Sequence, residues 1–417
     1  MSERPRVLIL GGGFAGVGAA QKLRRADAEV VLVDRHNYHT FQPLLYQLAT
    51  GLLETTAVGH SLRDLLERQD NTTVHQATVT GVDLDAREVR FDELAPLTYD
   101  FLILGLGAEV NFFGTDGAAE HAFPMYTLPQ ALRLKDHLLE RWEAADHDPS
   151  LVDDGVLNVV VVGGGPTGVE TAGAIAELYR AVFARDYPAL PQERARVILV
   201  EAGPELFSMF KPRLRRYAAK ALEKRTVEVM TGAMVSSVSP TRVTLKSGEE
   251  LKAHTLVWGA GLQGNRLVQS LGLELQRGNR IAVGADLALP DHPEVYVLGD
   301  VAAITDPKTG QVLPQLGSVA LQSGEHAGEA IARRIAGKAA KPFRYRDKGT
   351  MAMIGRGAAV VQMLGGRTMT GRTAQAAWGT VHLALLPTNE DRAKAVVDWA
   401  GTTLTHQRVG RITVRDE

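Results

Sequence analysis

The chain has 417 residues and no cysteine. Without thiols there is no disulfide framework and no thiolate metal site; no resident metal is expected. Mechanisms that need a redox-active cysteine pair or a cysteine sulfenate are closed as well. Long apolar runs are also missing. No stretch approaches the roughly 18 apolar residues of a membrane-spanning helix. Excess charge is scarce, because 46 Lys/Arg stand against 48 Asp/Glu for a net charge of −2, which speaks against general nucleic-acid binding. The opening Met1-Ser2-Glu3-Arg4-Pro5 runs straight into an apolar strand, so no signal peptide is expected.

Glycine, by contrast, is abundant, with 42 residues. The first cluster organises the chain. The apolar run Val7-Leu8-Ile9-Leu10 feeds Gly11-Gly12-Gly13-Phe14-Ala15-Gly16, an Ala-rich helical segment (Val17 to Leu23) follows, and a second apolar strand, Val30 to Val33, ends on Asp34. A strand, a G-x-G-x-x-G turn, a helix and an acid eighteen residues past Gly16 form the βαβ fingerprint of a dinucleotide site. Gly11 permits the tight turn, Gly13 lets the backbone approach a pyrophosphate, and Gly16 lets helix and strand pack closely. The pyrophosphate would sit on the helix N-terminus, and Asp34 would accept hydrogen bonds from a ribose. The competing interpretation is a glycine-rich turn of an ordinary α/β protein.

After Asp34 comes an aromatic and amide-rich loop, Arg35 to Gln47. A meander is expected over Thr73–Val79, Thr80–Leu84 and Glu88–Phe91, then a buried strand, Tyr99 to Leu104, ending on glycines. Leu128 to Ala145 has helical periodicity, and the polar segment Asp146–Gly155 reads as a linker. The pattern then repeats. Val156–Val162 leads into Gly163-Gly164-Gly165-Pro166-Thr167-Gly168, Val197–Val200 ends on Glu201, a second meander covers 227–246, and Thr255–Gly261 mirrors Phe101–Gly107. The chain thus carries an internal duplication of about 100 residues. Glu201 lies thirty-three residues past Gly168, so its place comes from aligning the repeats, with Tyr179–Arg194 as an insertion. Val295–Leu298 is a further strand, ending at Gly299-Asp300. Helical character follows from about Val319. Two strands (350–354, 358–363) and two helices (374–386, 392–405) close the chain. From Lys341 onward twelve basic residues face six acidic ones, a balance suited to an anionic surface or to a plain solvated face.

Two such motifs on duplicated domains imply two dinucleotides used together, most economically a bound FAD at the first site and exchanging NADH at the second. Asp300 is placed to bond the ribityl or pyrophosphate region, or to cap a helix. Glu201 favours NADH, since a carboxylate repels a 2′-phosphate and no basic residue follows it. Glu170, expected in the first turn of the second nucleotide helix, is not needed for a pyrophosphate. It either steers the nicotinamide or relays a proton, or simply stabilises the helix N-terminus.

These residues resemble the type II NADH dehydrogenases, single-subunit NADH:quinone oxidoreductases that pump no protons. The resemblance covers essentially the whole chain and rests on DRHNYHTFQPLLYQLATG (34–51), the turn Gly163–Glu170, Val295–Ala303, and KGTMAMIGR (348–356). It implies an α/β fold with two Rossmann-like domains: FAD-binding over 1–120 and 255–335, NADH-binding over 125–254, and a membrane-facing domain over 340–417. It implies FAD at Gly11, Gly12, Gly13, Phe14, Ala15, Gly16 and Asp34, at the Val79 backbone, and at Gly107, Asp300 and Lys348. NADH is implied at Gly163, Gly165, Gly168 and Glu201, with Glu170 and Gln322 as the functional pair, the latter at the quinone. The tail, with Trp378, His382, Trp399 and Arg411, resembles membrane-associating helices, which implies a peripheral protein on the cytoplasmic face of the plasma membrane, with a homodimer as one option. One departure stands out. Where the family reads Ala-Gln-x-Ala-x-Gln, this chain has Gly317-Ser318-Val319-Ala320-Leu321-Gln322, and Ser reaches less far than Gln towards a quinone carbonyl. Two other functions fit the same motifs: a soluble NADH reductase of a small redox protein, and an NADH-responsive flavoprotein of slow turnover.

Overall fold

The computed structural model describes residues 4–405 and Ile412; Arg411 lies outside the described residues. The chain divides into two compact units. The first comprises 1–40, 59–109 and 262–346, the second 41–58, 110–261 and 347–417.

The first unit is built on a five-stranded, all-parallel sheet in the order Val295–Val297, Phe101–Leu104, Arg6–Leu10, Glu29–Asp34, Thr72–Gln76. Its central strands are continuous Val/Ile/Leu runs, as a sheet covered on both faces requires. The first nucleotide helix, Phe14–Leu23, packs against the long helix Gly317–Ile335. The approach is close: a Cβ on Gly324 would collide with the Ala15 carbonyl, and one on Gly328 with that of Ala19. A three-stranded antiparallel sheet, Val79–Asp83, Glu88–Phe91 and Leu97–Thr98, completes the repeat.

The second unit repeats the sheet, again all parallel: Phe123–Pro124, Thr255–Trp258, Val159–Val162, Val197–Glu201, Val227–Thr231. Its antiparallel partner is Val235–Val238, Arg242–Leu245, Glu250–Lys252. The second nucleotide helix, Pro166–Leu178, lies against the strand Thr350–Gly355. They meet at Gly173, where any side chain would strike the Ile354 carbonyl. That strand belongs to a small antiparallel sheet with Ala358–Gln362 and Thr368–Thr370, and the helices Gly371–Leu385 and Asn389–Thr405 follow it.

Three expectations are corrected. The first strand of each expected meander, Thr72–Gln76 and Val227–Thr231, is instead the edge of the parallel sheet; an alternating edge strand and a meander strand read alike in sequence. The expected linker after the Leu128–His147 helix is a folded 3-10 turn, Pro149–Asp154, closed by Gly155 in the left-handed region at φ 82°. The expected insertion, Tyr179–Arg194, does lie between the helix Pro166–Leu178 and the strand Val197–Glu201; it begins with a π-helical turn, Tyr179–Phe183, whose rings join Trp142 and Tyr187 in an aromatic cluster. The helix expected from Val319 already starts at Gly317.

Candidate active site

At the first turn, Gly11 has φ 106°, and a Cβ there would overlap the Gly105 carbonyl; a Cβ on Gly16 would overlap that of Gly11. Only glycine fits either position. A Cβ on Gly13 would meet nothing within 4 Å, and the helix it caps has no side-chain cap bond and no acid in its first turn. Bare N–H groups at a positive dipole end beside open space suit a phosphate. Asp34 closes the turn. Its Oδ2 accepts from Gly12 N at 2.6 Å and its Oδ1 from His36 N at 2.7 Å, and each oxygen keeps a lone pair for a ribose hydroxyl. Phe14 stands edge-on to His39, with ring centroids 4.9 Å apart, and Ala15 is buried. Val79 opens an antiparallel strand, Gly107 follows Phe101–Leu104 at φ 70°, and Asp300 lies in the turn Gly299–Val301, its carbonyl accepting from Gln315 Nε2 at 3.1 Å. This cradle fits a dinucleotide such as FAD.

The second turn mirrors the first. Gly163 has φ 114°, a Cβ on Gly168 would overlap the Gly163 carbonyl, and Gly165 faces open space. Pro166 starts the helix at a position whose N–H has no helical partner. Strand register aligns Val162 with Val200 as it aligns Leu10 with Val33, so Glu201 stands where Asp34 stands in the first unit, whatever the spacing in sequence. Its Oε2 accepts from Gly164 N and its Oε1 from Gly203 N, both at 2.5 Å.

Glu170 is in the second turn of this helix, not the first, because the helix begins at Pro166. The dipole role expected there fades beyond the first turn. Its Oε1 accepts from Met353 N at 3.0 Å. Burial pushes its pKa up to about 8, against the smaller opposing effect of that hydrogen bond. The side chain is only partly covered, and its exposure faces a cavity of about 790 Å3 formed wholly within the second unit. Apolar surface from Leu52, Ala174, Leu383, Trp378 and Trp399 lines that cavity, and Arg180, Lys224 and Arg356 also reach it.

The same cavity exposes Gln47, a residue the sequence reading assigned to no site. Gln47 spans the wall, accepting from Trp399 Nε1 at 2.8 Å and donating to the Tyr46 hydroxyl at 2.9 Å. His382, named with the tail, is buried behind the Trp378 that lines the cavity: it stacks on that ring at 4.1 Å and bonds the Trp378 carbonyl at 2.7 Å. In the first unit, His39 Nδ1 donates to the Gly12 carbonyl at 3.0 Å, and burial lowers its pKa to about 4, which keeps the ring neutral. The signal was available: His39 and Gln47 both sit in the aromatic and amide-rich loop.

Gln322 belongs to the first unit. Its Oε1 accepts from Arg346 N and its Nε2 donates to the Arg346 carbonyl, both at 3.0 Å. Ser318 Oγ bonds the Tyr345 hydroxyl at 2.9 Å. Both side chains therefore fasten the segment before Asp347, leaving Gln322 one lone pair and one N–H for a ligand. Lys348 is exposed in the second unit. Trp378 and His382, expected on a membrane-facing tail, are buried, with Trp378 2% exposed. No helix among the described residues is long and apolar enough to cross a membrane.

Paired glycine turns, each with its own acid on a duplicated parallel sheet, define a two-dinucleotide flavoprotein oxidoreductase. Residues 5–324 match the family model of the pyridine nucleotide-disulphide oxidoreductases. The chain is 36% identical to the type II NADH:quinone oxidoreductase Ndh of Mycobacterium tuberculosis, over 100% of this chain and 91% of that one. It is 30% identical to the type II NADH:quinone oxidoreductase of Staphylococcus haemolyticus, over 89% and 92%. Among solved structures, NDH2 of Plasmodium falciparum in complex with NADH superposes with a TM-score of 0.91 at 20% identity, covering 99% and 100% of the two chains. The chain belongs to the type II NADH:quinone oxidoreductases, and its lack of cysteine sets it apart from the disulphide chemistry in the name of the broader family model.

Proposed function

We propose that this protein oxidises NADH through FAD and reduces a quinone, with Glu170 as the proton-holding group at the acceptor. Gly11 to Gly16 and Asp34 would hold FAD, which would supply the two-electron redox chemistry that joins NADH oxidation to quinone reduction. Gly163 to Gly168 and Glu201 seat NADH, and Glu201 disfavours a 2′-phosphate. Reduction of a quinone to a quinol consumes two protons, so the acceptor site needs a group that holds one. Glu170 does so at neutral pH, and this is the observation that carries the reading: a protonated carboxyl in the wall of an apolar cavity of ligand size. Gln47 and Tyr46, fixed by Trp399, supply polar atoms to orient a headgroup. Within the first unit, Gln322 fixes the backbone of Arg346, and its remaining lone pair and N–H are what it offers a quinone.

The membrane reading rests on the outer faces of the last two helices. Val381, Leu385, Val396 and Val397 are exposed there, Val397 by 67%, and the segment from Lys341 onward is net basic. We read this as peripheral attachment to an anionic surface on the cytoplasmic face.

Stopped-flow spectroscopy of the flavin tests the central claim. NADH is expected to bleach the flavin rapidly, a short-chain quinone to restore it, and NADPH to act far more slowly. Bleaching without recovery by any quinone would exclude the acceptor half. A wild-type rate in Glu170→Ala would remove Glu170 from the mechanism.

A further inference from the structure

The long helix Gly317–Ile335 begins beside Phe14, at the dinucleotide end of the first unit. Its far end carries two neighbouring recesses. One, of about 440 Å3, is lined by His326, Glu329, Arg333, Lys341, Arg344 and Arg346; the other, of about 330 Å3, shares Glu329 and Arg333 and adds Lys22 and Lys338. At 1.5 Å per residue, His326 is about 14 Å along the helix from Gly317, so these recesses lie apart from the pyrophosphate cradle.

Their charge is one-sided. Six cations face one acid, Glu329. None of Lys22, Lys338, Lys341, Arg344 or Arg346 has an ion-pair partner among the described residues. Lys22 and Arg333 stand in the last turns of their helices, where a cation complements the dipole. That explanation does not extend to Lys341, Arg344 and Arg346, which lie on a strap without regular secondary structure.

The strap is nevertheless held in place. Lys338 N donates to the Arg333 carbonyl at 2.8 Å, Arg333 Nε to the Ala339 carbonyl at 2.9 Å, and Phe343 N to the Ala285 carbonyl at 2.7 Å. Phe343 is buried edge-on to His326, with centroids 5.3 Å apart, and Gln322 clamps both backbone groups of Arg346. The Nε2 of His326 is buried with no hydrogen-bond partner. Like charges gathered on a fixed backbone repel one another, and a multivalent anion relieves that repulsion without reorganising the chain. Guanidinium groups favour oxyanions that can accept paired N–H bonds.

We propose that the larger recess, lined by Arg333, Lys341, Arg344 and Arg346, binds a phosphate-bearing anion, as a third anion site separate from both dinucleotides. It has the volume for a diphosphate or a phosphate headgroup.

The test is calorimetric titration of the FAD-loaded protein with inorganic pyrophosphate at low salt, with NAD+ present to fill the second dinucleotide turn. One site per chain is expected. Its affinity should fall at least tenfold in K341A/R344A and stay unchanged in K308A, which removes an exposed lysine elsewhere on the first unit. Flavin content and NADH oxidation should match wild type in both variants, showing that they fold. Absence of binding overturns the proposal, as does an affinity indifferent to K341A/R344A or equally reduced in K308A. A second arm uses phosphatidic acid vesicles. Binding that pyrophosphate displaces, and that K341A/R344A loses, assigns a lipid headgroup; vesicle binding unaffected by the variant assigns a free phosphate ligand.

Discussion

Buried titratable side chains give this protein a stability that bends with pH in two directions. Glu170 holds its proton up to about pH 8 in the folded chain, whereas an unfolded glutamate releases it near pH 4.5. Between those values the folded state binds the extra proton, so the Glu170 contribution declines as pH rises through the window, by on the order of a few kcal/mol in total. Glu170→Gln keeps the acceptor for Met353 N and cannot ionise. Chemical denaturation from pH 5 to 8 should show a flatter profile for that variant, with the variant gaining on wild type at pH 8. His39, His137 and His382 act in the opposite sense. Burial lowers each to about 4 from an ordinary 6.5, so the unfolded chain takes up protons first and stability is lost as pH falls from about 6.5 to 4. Replacing His39 by Gln should reduce that acid sensitivity in the same titration. At the second turn, Glu201→Gln should raise kcat/KM for NADPH relative to NADH by about tenfold, because the charge that repels a 2′-phosphate is gone.

Each nucleotide helix begins where a glycine lies against a carbonyl of its own turn. Gly16→Ala would drive a methyl group into the Gly11 carbonyl, and Gly168→Ala one into the Gly163 carbonyl. The two substitutions are chemically equal but should differ in outcome. Gly16→Ala should yield protein purified with little FAD. Gly168→Ala should keep its FAD and show a KM for NADH raised at least tenfold. Absorbance at the flavin band together with steady-state kinetics separates them, and equal flavin loss in both would contradict the assignment of the two turns. The last helix, Asn389–Thr405, is tied to the loop after Thr40 by the Trp399–Gln47 hydrogen bond, so the element latest in sequence shapes a cavity whose other wall comes from residues 41–58.

For the molecule as a whole, the proposed membrane attachment rests on the exposed side chains of the terminal helices, Leu385 and Val397 among them. Leu385→Glu/Val397→Glu should cut cosedimentation with anionic vesicles about tenfold while turnover with a water-soluble quinone analogue holds. Undiminished vesicle binding would locate the contact elsewhere.

The two glycine turns, their strands and their acids were legible in the sequence, because a tight turn, a close helix and a ribose partner each demand a particular residue at a particular local spacing. Even Glu201, displaced by the segment 179–194, could be found by aligning the repeats, since strand register repeats along with the strands. Other features depended on long-range packing. A sheet-edge strand and a meander strand share one alternating pattern, so the place of Thr72–Gln76 is set only by its neighbour. Trp378 and His382 read as an outer face, yet they turn inward because Phe41 and Trp399 cover them. Local chemistry on adjacent residues therefore determined the dinucleotide class. The Glu170 cavity, which joins residues from positions 46 to 399, was decided only by the tertiary structure, because burial and the proton it retains exist only once those distant segments close around the carboxyl.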